Sequence, residues 1–211
     1  MRRLALLLLG AVVLVVAGGV FFALQGGDAP PPPTLARRGV SGVGGTRAWK
    51  VVGGSFAGYR VDEDYLGVGV HTAVGRTRAV SGRLLLDGAR IASADLRADM
   101  TQLRSDQAQR DDTLRHRAIE TDRFPRAAFA LSAPFTLAAR EQQVRGTLTL
   151  HGVQAPVMVT VSGSLAPRRL ELVGHAPIAF KDFAIAPPSV AGLVKVQAKG
   201  LLEFRLLAYP A

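Results

Sequence analysis

The chain of 211 residues contains no cysteine. Disulfide staples, thiolate metal sites, a cysteine nucleophile and acylation at a lipoprotein cysteine are thereby excluded together. Aromatic residues are scarce, with one Trp and three Tyr. No interleaving of basic and aromatic residues of the kind that stacks nucleic-acid bases occurs. Acidic residues are also few, 16 against 26 basic ones, and nine of the ten net positive charges fall after residue 28. A surface this basic favours an anionic neighbour, either nucleic acid or an anionic lipid surface. The four histidines (His71, His116, His151, His175) are scattered and have no spaced carboxylate partner, so no metal centre is expected. His151, before Gly152, reads as a turn histidine. No serine sits in a Gly-x-Ser-x-Gly elbow, and hydrolase chemistry has no support. Neither a catalytic set nor a cofactor is expected. The densest acidic group, Asp62-Glu63-Asp64, reads as a solvated turn with at most a weak affinity for Ca²⁺.

Long apolar runs are absent but for one. Leu4 to Leu24 is 21 residues without a charge, preceded by Arg2 and Arg3. At 1.5 Å per residue it spans the ~30 Å hydrocarbon core of a bilayer. It also exceeds the usual apolar region of a signal peptide. Residues 1–25 are therefore expected to be a signal anchor, with cleavage near Ala17-Gly18-Gly19 as the alternative. The basic tail predicts that end inside and the rest outside, although Arg37-Arg38 follow closely. The expectation is a single-pass protein of the cell membrane with its domain extracytoplasmic, out of reach of nucleic acid. Residues 26–45 read as a linker. Pro30 to Pro33 predict an extended, stiff spacer, and the Gly/Ser stretch after them a flexible one.

Residues 46–208 read as one domain. Its apolar residues recur every second position, the pattern of strands with one buried face. The last strand shows this most clearly: Val194, Val196, Ala198, Gly200, Leu202, Phe204 and Leu206 alternate with mostly polar neighbours. Similar alternation runs through Leu96–Met100, Val144–Leu150, Val157–Leu165 and Leu170–Phe180. Earlier candidates lie at 46–52, 55–61, 66–73 and 78–87, and another at 127–133. Turn chemistry at Asp87-Gly88, His151-Gly152 and Ala166-Pro167 separates strands. Eight or more strands without crossover helices predict an all-β antiparallel sheet closed on itself, which also removes exposed edges. A two-sheet sandwich is the alternative.

One stretch breaks the period. Ser105 to Ile119 lacks a β-branched run, opens on Ser105-Asp106 as an N-cap and ends on Arg115 and Arg117, which suits a helix dipole. Its apolar stripe is narrow (Ala108, Leu114, Ala118), so it should lie on the surface at one rim. Arg115 can pair back to Asp111.

Three blocks resemble the YceI-like family. Arg110-Asp111-Asp112-Thr113-Leu114-Arg115 running on to Phe124-Pro125-Arg126-Ala127-Ala128-Phe129 is similar to its R-D-x-x-L-R helix and the F/Y-P-x-x-x-F entry to the next strand. Gly146 to Val157 resembles its G-x-L-T-I-H-G-V-x-x-P-V hairpin, and Phe180-Lys181-Asp182-Phe183-Ala184-Ile185 its late R/K-x-D-F-x-I segment. With Tyr59-Arg60-Val61 and Gly82, the likeness covers about Tyr59 to Leu206. The first hairpin departs from it, with a short Trp49 to Gly54 where relatives often have a longer strand. The resemblance implies an eight-stranded, lipocalin-like barrel with one short helix near its opening, binding a polyisoprenoid or similar lipid inside.

The inward positions then become the candidate ligand contacts: Tyr59, Val61, Leu84, Leu96, Ala98, Phe129, Leu131, Leu148, Val159, Ile178, Val196 and Ala198. Small inward residues (Gly146, Ala176, Ala198, Gly200) would leave volume for an apolar tail. Arg110 and Arg115 are candidate head-group contacts, or else purely structural helix pairs. The function expected is non-catalytic binding of an isoprenoid-type lipid or quinone-like molecule at the outer face of the membrane. A structural or interaction protein of the envelope with a fully packed barrel is the alternative.

Overall fold

The computed structural model describes residues 29–42, 44–190 and 194–211. The signal anchor expected over residues 1–25 and the first residues of the expected linker lie outside them. Among the described residues no helix is long and apolar enough to cross a membrane.

Among the described residues fourteen strands form the wall: β1 (Thr46–Val51), β2 (Phe56–Tyr65), β3 (Gly69–Thr77), β4 (Val80–Asp87), β5 (Arg90–Asp99), β6 (Arg104–Ser105), β7 (Arg126–Leu131), β8 (Phe135–Thr136), β9 (Gln142–Leu150), β10 (Val153–Ala166), β11 (Arg169–Ala179), β12 (Ser189–Val190), β13 (Val194–Val196) and β14 (Lys199–Pro210). Several are pieces of one longer strand, so the wall counts eight. The antiparallel ring runs β1, β4, β5, β7, β9, β10, β11, β14 and back to β1, where Trp49–Val51 meet Pro210–Ala208. The first half of β14 pairs instead with β2, and β2 with β3. Thus β1 and β2 are one strand with a corner, as are β3 and β4. At the first corner the Ser55 hydroxyl donates to Val52 O (2.8 Å) and accepts the Leu207 N–H (2.9 Å). At the second, Thr77 Oγ1 accepts the Ala79 N–H (3.2 Å). Both hydroxyls satisfy backbone groups that the interrupted ladder would otherwise strand in a dry interior. The strand that looked short at Trp49 to Gly54 therefore resumes at Phe56 and runs to Tyr65.

Besides this extension of the 55–61 candidate to Tyr65, two further expected boundaries shift. The 66–73 candidate begins with the turn of the β2–β3 hairpin, and β3 proper starts at Gly69. The 194–206 candidate is split, because the ladder stops at Val196 and resumes at Lys199. The break is stitched by two backbone bonds, Gln197 N–H to Asp62 O (3.0 Å) and Phe180 N–H to Ala198 O (3.0 Å).

The helical stretch is shorter than expected. Helix α1 covers Ala108–Thr113 and widens into a π-helical turn over Leu114–Ala118. Ser105 is unavailable as an N-cap because it still pairs with Gly75 as part of β6. Asp111 closes this end by accepting the Ser105 N–H (2.8 Å), a bond made in place of the expected pairing to Arg115. The stripe is also rotated: Ala108 is exposed, and Arg110 joins Leu114 and Ala118 on the barrel side.

One end of the barrel is plugged by Trp49, Leu86, Leu165 and Leu170, all essentially without exposure. At the opposite end α1 lies across the opening, and a second cluster (Leu148, Leu150, Ile178, Phe183, Ile185) packs beneath the rim.

The linker does not stand free. On the outer wall Glu203 accepts Arg60 (3.1 Å) and Arg76 (2.6 Å), while Glu171 accepts Arg205 (2.8 Å) and Arg169 (3.5 Å). Each glutamate is only 1% exposed. The proline-rich segment lies against this network. Pro30 O and Pro31 O accept Arg60 Nη2 (2.6 Å) and Arg76 Nη2 (3.1 Å). The Ala36 N–H donates to Glu171 (3.4 Å), and Gly39 and Ser41 exchange backbone bonds with Leu165. Prolines leave no N–H to satisfy, and their carbonyls are the acceptors the arginines need. The expected spacer is a strap.

Candidate functional site

The lumen holds a cavity of about 230 Å³. Liquid water would need two to four polar partners per molecule, and a space this size has room for roughly eight at liquid density. Its walls supply few such partners: most are Val, Leu, Ile, Ala and aromatic side chains from β2, from every strand of the ring but β1, and from the helical stretch, with a few polar residues such as Glu63, Thr77, Arg97 and Arg110 among them. The barrel is thus not fully packed, which removes the packed interior from the alternative reading.

The volume arises differently from the expectation that small residues simply leave space. A Cβ on Gly146 would lie 2.0 Å from the Phe129 ring, and one on Gly75 2.3 Å from the Tyr59 ring. Gly75 and Tyr59 are direct cross-strand partners. Phe204 covers its own cross-strand partner, Gly174, in the same way. Each glycine lets a neighbouring ring lie flat on the wall, where it shields backbone without entering the lumen.

Eleven of the twelve inward candidates line the cavity: Tyr59, Val61, Leu84, Leu96, Ala98, Phe129, Leu131, Leu148, Val159, Ile178 and Val196. Ala198 does not. It sits in the break between β13 and β14, where alternation no longer governs direction, and is exposed. Of the two arginines, Arg110 borders the cavity and Arg115 does not. Arg115 lies on the other flank of the helix, beside Met100 and Arg104.

The mouth carries the polar chemistry. Arg110 reaches from α1 to β2 and grips Glu63 with two hydrogen bonds, Nε to Oε1 at 3.1 Å and Nη2 to Oε2 at 3.0 Å. Its other terminal nitrogen holds Asp106. The Tyr65 hydroxyl donates to Glu63 Oε2 at 2.8 Å. Glu63 is therefore buried in a strand, contrary to the solvated turn expected of Asp62-Glu63-Asp64; only its two neighbours face solvent. Burial works against the Arg110 charge, but the hydrogen bonds and negative charge of Glu63 outweigh it and hold the guanidinium protonated well above its usual range. Burial, reinforced by the hydrogen bond to Glu63, pushes the Tyr65 phenol up to about 12.

Tyr59 lies one step deeper. Its hydroxyl oxygen is enclosed and has no partner among the described residues. Burial raises its phenol far above the ordinary value, the nearby Arg110 charge opposing only in part. The lumen thus presents an apolar length with one unsatisfied donor, next to a neutralised ion pair. Glu63 and Tyr65 escaped the sequence reading, although they continue the parity of Tyr59 and Val61, and that parity was the available signal.

His151 does occupy a turn, with φ of 52°. Nδ1 meets Phe183 O (3.0 Å), Nε2 meets a Glu120 carboxylate oxygen (2.9 Å), and the ring packs edge-on against Phe124. It ties three rim segments together and lies outside the cavity. His116 is exposed on the helical stretch, facing Asp112 and Asp122.

A closed eight-stranded antiparallel barrel with a short helix near its opening is the arrangement the three sequence blocks implied. Residues 53–206 match the YceI-like domain. The chain belongs to the YceI-like family. Solved structures share its fold. A polyisoprenoid binding domain from Saccharophagus degradans, implicated in plant cell wall breakdown, superposes with a TM-score of 0.60 at 19% identity, over 78% of this chain and 99% of that one. Burkholderia cenocepacia BcnA gives 0.57 at 18% identity over 77% and 95%, and the Campylobacter jejuni YceI protein 0.55 at 16% over 65% and 84%. No curated protein matches the chain. The YceI-like stretch opens at Gly53, inside the first corner, so the strap and β1 with its plugging Trp49 precede it.

Proposed function

We propose that this YceI-like chain is a non-catalytic carrier or sequestering protein for a long isoprenoid-type lipid or quinone-like molecule, held at the outer face of the cell membrane by the apolar run Leu4–Leu24. The apolar tail occupies the lumen. Its polar head lies at the mouth, within reach of Tyr59 and Arg110.

The observation that carries the reading is the lumen itself: apolar, unfilled, and bearing one enclosed hydroxyl without a partner. At about 0.8 kcal/mol per buried methylene, a five-carbon isoprene unit contributes roughly 4 kcal/mol before ordering costs. The polyisoprenoid binding domain among the neighbours supports the same ligand class. A single acceptor oxygen on the ligand would satisfy Tyr59, which otherwise leaves a buried donor unmet at about 1–3 kcal/mol.

The test is extraction of the full chain under native conditions followed by lipid mass spectrometry, alongside Leu148→Trp. Leu148 lines the lumen and is buried, so an indole there occupies ligand volume. The expected result is a co-purifying isoprenoid-type lipid from the parent protein and its loss from a variant that still folds. Preparations that are repeatedly empty would count against the proposal.

A further inference from the structure

Six large apolar side chains are exposed among the described residues, and three of them, Leu66 (72%), Val68 (38%) and Val70 (64%), share the tip of the β2–β3 hairpin. The other three are scattered: Met158 on β10, and Leu85 and Tyr209 on strands that flank the cationic Lys50. The tip projects at the mouth end, beyond Glu63 and Tyr65.

The strap climbs the wall toward that same end. Ser41 and Gly39 pair with Leu165 at the plugged end, Ala36 reaches Glu171, and Pro30 and Pro31 are held by Arg60 and Arg76 on β2 and β3. The described chain begins at Ala29, next to the hairpin whose tip is apolar. From Ala29 back to Leu24 is five residues, about 17 Å when extended. From Arg60 along β2 to Leu66 is six residues, about 20 Å. The end of the apolar run and the hairpin tip can therefore meet one plane.

We infer that the barrel docks mouth-first on the bilayer, with the Leu66–Val70 tip inserted among the lipids and the strap fixing that orientation. This rests on the membrane-anchored reading above. It gives the strap a purpose a free spacer could not serve, because an unstrapped linker would let either end face the membrane. It also places the polar gate of Arg110 and Glu63 at the lipid surface, where a ligand's head would arrive or leave. The competing geometry is docking by the plugged end, whose exposed Arg47, Arg83, Arg90 and Arg168 suit anionic headgroups.

The lack of cysteine makes the experiment direct. Leu66→Cys, Val70→Cys and Arg168→Cys, each exposed in the fold, are labelled with an environment-sensitive fluorophore on the full chain. The labelled proteins are reconstituted into vesicles of phosphatidylethanolamine and phosphatidylglycerol carrying a spin-labelled quencher lipid. The expected result is a blue shift and at least about twofold quenching at 66 and 70, none at 168, and persistence when phosphatidylglycerol is replaced by phosphatidylcholine. Quenching at 168 in its place, present only with the anionic lipid, overturns the orientation in favour of the plugged end. A chain retained after alkaline washing with no probe quenched overturns the inference alone. A chain stripped by that wash overturns both the inference and the anchored reading.

Discussion

Arg110 and Glu63, 47 residues apart, close the barrel mouth through a two-pronged ion pair between helix α1 and strand β2, with side-chain exposures of 10% and 8%. Removing one partner of such a buried pair strands the other charge. Arg110→Ala should cost about 3–5 kcal/mol in urea unfolding. The double variant Arg110→Met, Glu63→Leu should recover most of that, since it removes both charges and keeps the volume. A double variant as unstable as the single would show that the pair does more than neutralise itself.

The phenols at the mouth give the stability a defined alkaline limb. Tyr65 titrates at about 12 in the folded state and Tyr59 is raised further, against an ordinary value of 10.0. A raised acid favours the folded state while protonated, so its contribution is complete below pH 10 and declines as pH rises toward 12 and beyond. The urea midpoint should therefore fall across that window. Tyr65→Phe should flatten the fall, because the group that loses its proton more readily on unfolding is gone. An unchanged slope in that variant would refute the assignment.

Gly146 is the residue that keeps Phe129 flat. A Cβ there would lie 2.0 Å from the ring, so Gly146→Ala must push Phe129 into the lumen. Overpacking of this kind costs about 1–3 kcal/mol. Less co-purified lipid, together with a lowered melting temperature, is the expected pair of results. Lipid retention at the parental level would mean that the ring relaxes elsewhere.

Ser55 holds the first corner. Its hydroxyl serves Val52 O and the Leu207 N–H, and the residue is 1% exposed. Ser55→Ala leaves both backbone groups unmet at about 1–3 kcal/mol. Amide exchange should show the loss concentrated at Leu207, with the β9–β10 hairpin unaffected.

Much of the barrel was legible from residue order alone. Alternation along Val144–Leu150 and Val157–Leu165 points the right side chains inward because a strand's two faces are set by backbone geometry, whatever it packs against. Eleven wall residues followed from that parity. It failed at Ala198, where the ladder is interrupted and parity has no meaning, and at Glu63, where an inward carboxylate is tolerable only because Arg110 arrives from another element. Nothing local to Asp62-Glu63-Asp64 announces that partner. The helix start was misplaced for a similar reason: Ser105 has an ideal capping side chain, yet its backbone is claimed by Gly75.

By itself the sequence determined the period of the strands, their turns, the absence of thiol chemistry and the basic balance of charge, since each is a property of neighbouring residues or of composition. Tertiary structure alone decided that the rings lie on glycines, that the lumen stays open, that Tyr59 keeps an unmet hydroxyl, and that the prolines strap the wall. These depend on contacts between residues tens to more than a hundred positions apart, and only closure of the barrel brings such residues together.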